Sequence, residues 1–406
     1  MFNMPAIKEQ SQKHDSFYLY DESIILSYTK MLRNAFANVD FLYSIKANPH
    51  PLVVRTVFSQ GFGADAASLN EVLLSGSQGL IKEKIFYSAP GKSKKDISNA
   101  LGHCVLIADS LNEIRAIDEI AQQQGITAEI GIRINPDFTF YSHTGSPSKF
   151  GIDEKAVFEN ASLLNGYRHV RITGIHVHSR SQELKADLIL GYYKNMLALA
   201  QKVEQQLDIS LQYVNLGSGI GVPYAPDEKS IDIAALGKEA STLFSDYRSR
   251  HTGTNIIIET GRYAVCKCGV YTTKVLDKKT SYGKTFVLVS NTLNGFIKPS
   301  LAQIISSYTS DEKPASSEPL FTGAGAHEIV TLGSQSEQEC VTLGGNLCTA
   351  MDVIAKDIIL PKLEIGDVVV ISNAGSYAAA ISPMQFSSQT PPAQLFLTKN
   401  GEVLND

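Results

Sequence analysis

The sequence predicts an α/β protein: a (β/α)8 barrel joined to an antiparallel β domain. Between about residues 25 and 262, short β-branched or aromatic runs alternate with segments of helical apolar spacing. Eight such units with apolar strands indicate a closed parallel barrel. After Arg262, strand-like runs are separated by Gly, Pro, Ser and Asn, with little helical pattern. This change of pattern predicts a second, β-rich domain.

The elements follow from these patterns in chain order. The predicted barrel strands are Phe41–Ile45, Gly63–Ala66, Ile85–Tyr87, Cys104–Ala108, Ala128–Ile134, Ile172–His176, Tyr213–Leu216 and Ile256–Glu259. The predicted helices between them include Pro51–Gln60, Leu69–Ser75, Ser110–Gln124, Glu154–Leu164, Leu184–Leu207 and Ile233–Arg250.

The predicted domain boundaries place the barrel at residues 25–265. Residues 1–24 and 266–406 form the β domain. Its predicted strands are Phe17–Tyr20, Val265–Leu276, Lys284–Ser290, Glu339–Leu343, Asp367–Asn373 and Ala393–Leu397. Ser306–Gly325 is predicted to be an exposed loop.

Composition excludes several classes of protein. The 406 residues carry a formal charge of −5 and contain no long basic run, which argues against nucleic acid as a partner. No window reaches the ~18 apolar residues that a membrane helix needs, and the polar N-terminus lacks a signal-peptide core. Five scattered cysteines do not form a disulfide framework. We therefore expect a cytoplasmic protein that does not associate with membranes.

Polar side chains follow the predicted barrel strands, where active sites of such barrels lie. Glycine-rich turns follow strands seven and eight, the common phosphate position in these barrels. The residues at the strand ends are Lys46, Asp65, Ser88, Asp109, Arg133, Asn135, His178, Gly217-Ser218-Gly219 and Glu259-Thr260-Gly261-Arg262.

These residue types indicate carbonyl chemistry on a bound ring. A lysine that sheds its proton can form a Schiff base with an aldehyde, although a lone lysine such as Lys46 is more often a surface residue. Glu259 could keep a pyridine nitrogen protonated, so that the ring accepts the electron pair of a broken bond to Cα. The alternative for Glu259 is a salt bridge to Arg262.

Three further groups are ambiguous. His178 could stack on a planar cofactor, whereas the neighbouring His176 could be a core residue. Cys348 follows a glycine turn in a polar loop, where a thiol could deliver a proton to a carbanion, or it could be inert packing. Cys266 and Cys268 are predicted to share one face of a strand, and we expect no metal there.

Eight motifs in this order resemble the pyridoxal-phosphate (PLP) dependent diaminopimelate/ornithine decarboxylase family, whose barrel is alanine-racemase-like (fold type III). The resemblance runs from Phe17 nearly to the C-terminus. The segments that carry it are Tyr43–Asn48, Gly63–Ser68, Arg133–Pro136, His143–Gly151, His176–His178, Glu259–Arg262, Cys348–Asp352 and Ala374–Tyr377.

The resemblance implies a role for each matching residue. Lys46 would be the Schiff-base lysine, His178 the ring-stacking residue and Glu259 the partner of the pyridine nitrogen. Cys348 would donate a proton from the other subunit of a homodimer. The implied cofactor-binding residues also include Asp65, Ser181, Gly219, Gly261, Arg262 and Tyr377.

Departures from the family pattern concern the substrate, and the implied substrate-binding residues are Arg180, Lys298, Thr349 and Asp352. Thr349 replaces the acidic residue that follows the thiol and binds a distal amine. Lys298 replaces an arginine, and Arg180 stands where glycine is usual. The Cys348-Thr349 pattern resembles family members of siderophore or antibiotic pathways, whose amino-acid substrates are conjugated to citrate or a carrier. We therefore predict decarboxylation of a conjugated or acidic amino acid.

Three other functions stay open from the sequence. The first is diaminopimelate decarboxylation in lysine biosynthesis. The second is amino-acid racemisation on the same barrel, although racemases place an arginine against the pyridine nitrogen. The third is a non-catalytic PLP-binding protein, but those are short lone barrels without a β domain.

Overall fold

The computed structural model describes residues 3–217, 219–308, 318, 320–332 and 337–405. The chain divides into two compact units. One unit comprises residues 28–221 and 230–261, and the other comprises the chain up to Ser27, residues 222–229 and the chain from Arg262 onward. Residues 222–229 thus belong to the second unit, although the sequence placed them within the barrel.

Among the described residues, eight parallel strands close the predicted barrel. Each strand pairs with the next one in the chain, and Asp40–Ser44 pairs with Asn255–Thr260 to complete the ring. The barrel strands are Asp40–Ser44, Gly63–Ala66, Ile85–Tyr87, Val105–Ala108, Ala128–Asn135, Val170–His176, Tyr213–Asn215 and Asn255–Thr260. All eight predicted strands are therefore confirmed. A two-residue strand, Ile152–Asp153, pairs with the end of the fifth.

Helices alternate with the barrel strands, as expected for a βα repeat, and the first of them precedes the first strand. They are Glu22–Ala35, Pro51–Ser59, Leu69–Ser77, Lys94–Ala100, Leu111–Gln124, Glu154–Glu159, Ala161–Gly166, Ala186–Leu207 and Ile233–Arg250, with short 3-10 turns at Ile45–Ala47 and Lys82–Lys84. The helix predicted over residues 154–164 is broken at Asn160, whose side-chain amide donates to the Ala156 carbonyl. Such local side-chain bonds compete with helical hydrogen bonds.

The barrel interior is packed around Leu42, Phe86, Ile107, Tyr213 and Ile257. The Tyr213 ring lies directly against the backbone of Gly174 on the neighbouring strand. A Cβ added to Gly174 would come within 2.2 Å of this ring. Glycine is therefore required in this strand because a large ring fills the space that a side chain would occupy.

The second unit contains a predominantly antiparallel sheet, which confirms the predicted β domain. Two of its strand pairs are parallel: Ser16–Asp21 with Ala393–Leu397, and Lys284–Val289 with Gln338–Gly345. Its described strands are Ser16–Asp21, Gly269–Ser281, Lys284–Val289, Ile329–Leu332, Gln338–Gly345, Val353–Pro361, Val368–Ile371, Ala393–Leu397 and Val403–Asn405. An apolar cluster that includes Phe17, Leu19, Val270 and Val370 forms its core.

The helical elements of this unit correct two sequence predictions. Its helices are Met4–Gln10, Arg262–Val265 and Ile297–Tyr308, with 3-10 turns at Cys266–Cys268, Ala379–Ile381 and Phe386–Ser388. Cys266 and Cys268 therefore lie on a helical turn, not on one face of a strand, and both are buried. The loop predicted at 306–325 is helical as far as Tyr308, and residues 309–317 and 319 lie outside the described part of the chain.

No helix in the described residues is long and apolar enough to cross a membrane.

Candidate active site

Lys46 lies at the carboxyl end of the first barrel strand, in the 3-10 turn Ile45–Ala47. Its Nζ lies 3.0 Å from Oδ2 of Asp65, which is near the end of the second strand and fully buried. Ser44 and Ser88 donate to the two oxygens of the same carboxylate, at 2.8 and 2.6 Å. Asp65 therefore fixes a lysine whose side chain remains 40% exposed. The predicted lysine and aspartate do come together.

The third, fourth and fifth strands extend this polar cluster. Arg133 donates to the Ser88 carbonyl at 3.3 Å and lies 3.8 Å from the Asp109 carboxylate. Its guanidinium also lies 4.5 Å from the ring centroid of Phe150. Each of these polar residues comes from a different strand end, so the sequence prediction of convergence at one barrel face is correct for them.

Glu259, near the end of the eighth strand, is enclosed by hydrogen-bond donors. Its Oε1 accepts from Asn215 Nδ2 at 2.9 Å and lies 3.1 Å from His176 Nε2. Its Oε2 lies 3.4 Å from His178 Nδ1. Only 1% of the Glu259 side chain is exposed. The sequence left open a salt bridge between Glu259 and Arg262, and the described contacts contain none. The two histidines pair with Glu259 instead.

This environment fixes the charge of Glu259. Burial alone would raise the pKa of its carboxyl, but the attraction and hydrogen bonds of His176 and His178 outweigh burial and hold that pKa well below its usual range. Burial lowers the pKa of His178, and Glu259 only partly opposes this effect. The site therefore presents an ionised carboxylate at neutral pH.

His176 and Asn215 are functional residues that the sequence reasoning did not assign. His176 and His178 are two positions apart, and alternate residues of an extended strand point to the same side. The spacing of the two histidines in the sequence therefore indicated that His176 lies on the same side as His178. Asn215 is a buried polar residue at the last position of the seventh strand, immediately before the glycine turn. A buried amide at a barrel strand end is a reason to expect a partner.

The glycine turn after the seventh strand is held closely against the sixth. Gly217 has φ of +64°, and a Cβ at this position would come within 2.2 Å of the Val177 carbonyl oxygen. Glu183 donates its backbone N–H to the Gly219 carbonyl at 2.8 Å, which ties the loop containing Ser181 to this turn. Ser218 lies outside the described residues. Glycine is therefore required at position 217 because the chain approaches the Val177 carbonyl too closely for a side chain.

Arg262 directly follows Gly261, and in the β-domain unit it contacts two tyrosines. Its Nη1 donates to the Tyr224 hydroxyl at 3.0 Å, and its guanidinium lies 4.8 Å from the Tyr377 ring centroid. Tyr377 has φ of +49°, an uncommon conformation for a bulky residue. Arg262 Nε and Nη2 and Ser376 Oγ are buried without a hydrogen-bond partner among the described residues.

Cys348 lies in the loop between Gln338–Gly345 and Val353–Pro361, and its side chain is exposed. Asp352 organises this loop. One carboxylate oxygen accepts from the Thr292 hydroxyl and from the Leu293 N–H, and the other accepts from the Leu347 N–H at 2.9 Å. Asp352 is only 4% exposed. The geometry supports a positioning role for Asp352 in this loop.

We predict that Asp352→Asn loosens the Cys348 loop. The new amide would direct an N–H at the Leu347 N–H, so this buried donor would lose its acceptor. The folded loop should be destabilised by about 1–3 kcal/mol. We expect kcat to fall roughly 10- to 100-fold, with cofactor content unchanged. Thiol labelling should show faster modification of Cys348, measured in a Cys340→Ser background because Cys340 is also exposed.

Thr292→Val is the matched control, because it removes one hydroxyl donor to Asp352 and leaves the carboxylate in place. It should shift kcat and labelling in the same direction but by less. An Asp352→Asn enzyme with unchanged labelling and unchanged kcat would contradict the positioning role.

Arg180 lies beside Glu183 and Tyr141 in the loop after the sixth strand. Its Nε is 3.4 Å from the Glu183 carboxylate, and its guanidinium lies 4.9 Å from the Tyr141 ring centroid. Tyr141 donates to the same carboxylate at 2.5 Å. The other oxygen of Glu183 accepts from the backbone of Leu184 and Lys185 at the start of a helix. Arg180 thus fastens residues 140–151 to the loop after the sixth strand.

These features fit pyridoxal phosphate. Lys46 offers an amine for an aldehyde, and Glu259 offers an ionised carboxylate for a ring nitrogen. In the β-domain unit, the unpartnered nitrogens of Arg262 suit a phosphate group. The described residues contain no cluster of three metal-ligating side chains. Fold and site together define a PLP enzyme of the barrel type.

The comparisons with known proteins give the family. The family model described as pyridoxal-dependent decarboxylase, pyridoxal binding domain, matches residues 22–266. The chain belongs to this family of PLP-dependent decarboxylases. It is 32% identical over 395 residues to an L-glutamyl-(BtrI acyl-carrier protein) decarboxylase of Niallia circulans, covering 95% of this chain and 89% of that protein.

Other relatives are diaminopimelate decarboxylases. That of Archaeoglobus fulgidus is 30% identical over 385 residues, covering 90% of this chain and 84% of the relative. The crystal structure of the Helicobacter pylori enzyme complexed with L-lysine superposes with a TM-score of 0.82 at 27% identity, covering 98% of this chain and 95% of that one. The chain is therefore a PLP-dependent amino-acid decarboxylase.

Proposed function

We propose that this decarboxylase acts on an amino acid whose distal end is conjugated, as in a citryl or carrier-bound acyl group, and not on free diaminopimelate. The observation that carries the proposal is the Cys348 loop, residues 346–352. Its acidic residue is Asp352, and both oxygens of that carboxylate accept hydrogen bonds, one from the Thr292 hydroxyl and the Leu293 N–H and the other from the Leu347 N–H. The loop therefore has no free carboxylate to bind a distal ammonium group.

The residue after the thiol supports this reading. Thr349 is half-buried and neutral, and its hydroxyl accepts a weak bond of 3.4 Å from the Met351 N–H. A hydroxyl can bind an amide or ester oxygen, but it cannot balance a charge. A substrate whose distal nitrogen is acylated, or whose distal carboxyl is bound as an ester, thioester or amide, would suit this position. The relative from Niallia circulans, whose named substrate is a carrier-bound glutamyl group, supports the same class.

Each residue of the site has a role in the proposed reaction. When bound, pyridoxal phosphate supplies a ring that accepts the electron pair left on Cα as carbon dioxide departs. Lys46 would hold the cofactor through its aldehyde group, and the ionised Glu259 would favour a proton on the ring nitrogen. His178 would pack against the ring. The Cys348 thiol would supply the proton that replaces the lost carboxyl group.

The substrate proposal is tested by a decarboxylation screen with products identified by mass spectrometry. Free meso-diaminopimelate, lysine, ornithine and glutamate are compared with citryl-conjugated and carrier-bound amino acids. We expect kcat/KM for a conjugated substrate to exceed that for free diaminopimelate by ~100-fold or more. Comparable turnover of free meso-diaminopimelate would refute the proposal and support diaminopimelate decarboxylation.

Thr349→Glu sharpens this test. It introduces the missing anion next to Cys348, so it should lower kcat/KM for the conjugate and raise it for substrates with a free distal amine. Thr349→Ser retains the hydroxyl and serves as the control. If both variants keep the preference of the parent enzyme, Thr349 does not read the distal group.

We further propose that the enzyme is a homodimer and that Cys348 acts as proton donor in the active site of the partner subunit's barrel. Cys348→Ala should keep the cofactor spectrum while kcat falls by ~10²- to 10⁴-fold, the usual contribution of a positioned proton donor. Mixing inactive Cys348→Ala and Lys46→Ala chains should restore about a quarter of the parent activity, since half of the dimers then carry one intact site. Absence of any restoration would place both residues in the same chain's site.

Racemisation on the same barrel is the remaining alternative. The ionised Glu259, in place of an arginine, favours decarboxylation. Release of carbon dioxide, as against loss of optical activity without it, separates the two reactions.

A further inference from the structure

Two cations are buried side by side in the β-domain unit. Lys298, in the first turn of the helix Ile297–Tyr308, is completely buried, and Arg262 is 4% exposed. The Lys298 ammonium lies 5.4 Å from the Tyr224 ring centroid and 5.7 Å from that of Tyr377. The Arg262 guanidinium lies 5.9 and 4.8 Å from the same two rings. The same pair of tyrosines therefore contacts both cations.

Among the described residues, no counter-ion accompanies this pair. Neither Lys298 nor Arg262 lies within ion-pair distance of a carboxylate in the described part of the chain. The polar atoms buried here without a described hydrogen-bond partner are Lys298 Nζ, Arg262 Nε, Arg262 Nη2, Ser300 Oγ, Ser376 Oγ and His327 Nε2. Burying two like charges without partners is strongly unfavourable. A bound anion would offset that cost.

We propose that Lys298 is a second cation for the phosphate group of the cofactor, acting beside Arg262, and not a ligand of the substrate. The inference rests on the assignment of Arg262 to that phosphate. A phosphate dianion balances two cations, whereas a substrate carboxylate would leave one unbalanced. Its oxygens can also accept from unpartnered hydroxyls such as that of Ser376.

The titratable groups around Lys298 make this site dependent on pH. Burial, and then the charge of Arg262, lower the pKa of Lys298 to about 7, and Cys266 opposes them only slightly. Burial and Lys298 lower the pKa of His327 to about 3, so this ring is neutral and its Nδ1 donates to the Ser372 carbonyl at 2.7 Å. Burial raises the pKa of Tyr224.

The sign of the effect follows from these charges. Lys298 carries a proton only in part at neutral pH, and an adjacent dianion favours its charged form. Binding of the phosphate therefore draws a proton from solvent onto Lys298 Nζ, and affinity falls as pH rises above about 7. An arginine at this position stays charged and would remove this pH dependence.

The test uses the full-length apoenzyme with pyridoxine 5'-phosphate and pyridoxine, which lack the aldehyde and so cannot bond to Lys46. Calorimetry at pH 8.5 in buffers of different ionisation enthalpy should show uptake of about one proton per pyridoxine 5'-phosphate bound. Lys298→Arg should show none. Lys298→Met should bind pyridoxine 5'-phosphate about 10- to 100-fold more weakly but pyridoxine unchanged.

Stability and two control variants complete the test. Measured below pH 7, where Lys298 is protonated, Lys298→Met should raise the melting temperature of the apoenzyme, because it removes an unpaired buried charge. Lys279→Met, which deletes an exposed charge of the same unit, should bind both ligands normally. The proposal would be overturned if Lys298→Met bound both ligands equally more weakly, or if it bound pyridoxine 5'-phosphate as tightly as the parent. Equal proton uptake by the parent and Lys298→Arg would overturn it as well.

Arg262→Gln tests the underlying assignment separately. If this variant keeps the full preference for the phosphate ester, the assignment of Arg262 fails and the proposal for Lys298 fails with it. If it loses the preference while Lys298→Met keeps it, only the role of Lys298 is refuted. No substrate is used in these measurements, so they do not depend on the conjugated-substrate proposal.

Discussion

Lys46→Ala should abolish decarboxylation, with kcat/KM falling roughly 1,000-fold or more, because no other amine is fixed at the barrel mouth by Asp65. The cofactor should still bind through its phosphate, but its absorbance should become that of the free aldehyde. The measurement is a spectrum of the purified variant together with cofactor content and carbon dioxide release. A small primary amine added to the assay should restore part of the rate.

The control for this change is Lys46→Arg. The variant keeps a cation 3.0 Å from the buried Asp65 carboxylate, whereas Lys46→Ala removes it. Loss of stability should therefore be confined to Lys46→Ala, while both variants should lose turnover. An active Lys46→Arg enzyme would show that Lys46 acts through its charge and not as a nucleophilic amine.

The barrel half of the site was predictable because strand ends carry positional information. Once the eight strands are assigned, Lys46, Asp65 and Glu259 must lie at one face of a closed barrel. What the pattern does not contain is the pairing between side chains. Glu259 was expected to have Arg262 as a possible partner, yet its partners are His176, His178 and Asn215.

The β-domain half was harder to predict because its residues are brought together by non-local pairing. Asp352 matches a family motif, but its hydrogen bonds to Thr292 and Leu293 join segments about 60 residues apart. No helix was predicted around Lys298, which was expected only as a substrate-binding residue. It lies in the first helical turn, where Pro299 is tolerated because the N–H of that position has no helical partner.

The same contrast applies to secondary structure. The helix Leu111–Gln124 was predicted to within one residue because Ser110 caps it and Gly125 ends it in a left-handed conformation. The strand Val353–Pro361 was missed because Lys356 and Asp357 interrupt its apolar pattern. Its pairing with Gln338–Gly345 overrides that local signal.

Glu259→Gln should lower kcat by ~10²- to 10³-fold with little loss of cofactor, since the carboxylate that holds a proton on the ring nitrogen is replaced by a neutral amide. The glutamine oxygen can still accept from Asn215, so the fold around the site should persist. Rates under cofactor saturation, with bound cofactor measured independently, check this prediction. Glu259→Asp retains the charge and should lose less.

The pH dependence of stability gives Glu259 a second, independent test. Its folded-state pKa lies below the unfolded value of about 4.3. The ionised carboxylate therefore stabilises the folded enzyme above that pH, and this contribution disappears as pH falls through the folded pKa. The difference in unfolding free energy between the parent and Glu259→Gln should be largest near neutral pH and shrink on acidification. A difference that is independent of pH would mean that packing, and not the ionised carboxylate, accounts for the effect of the substitution.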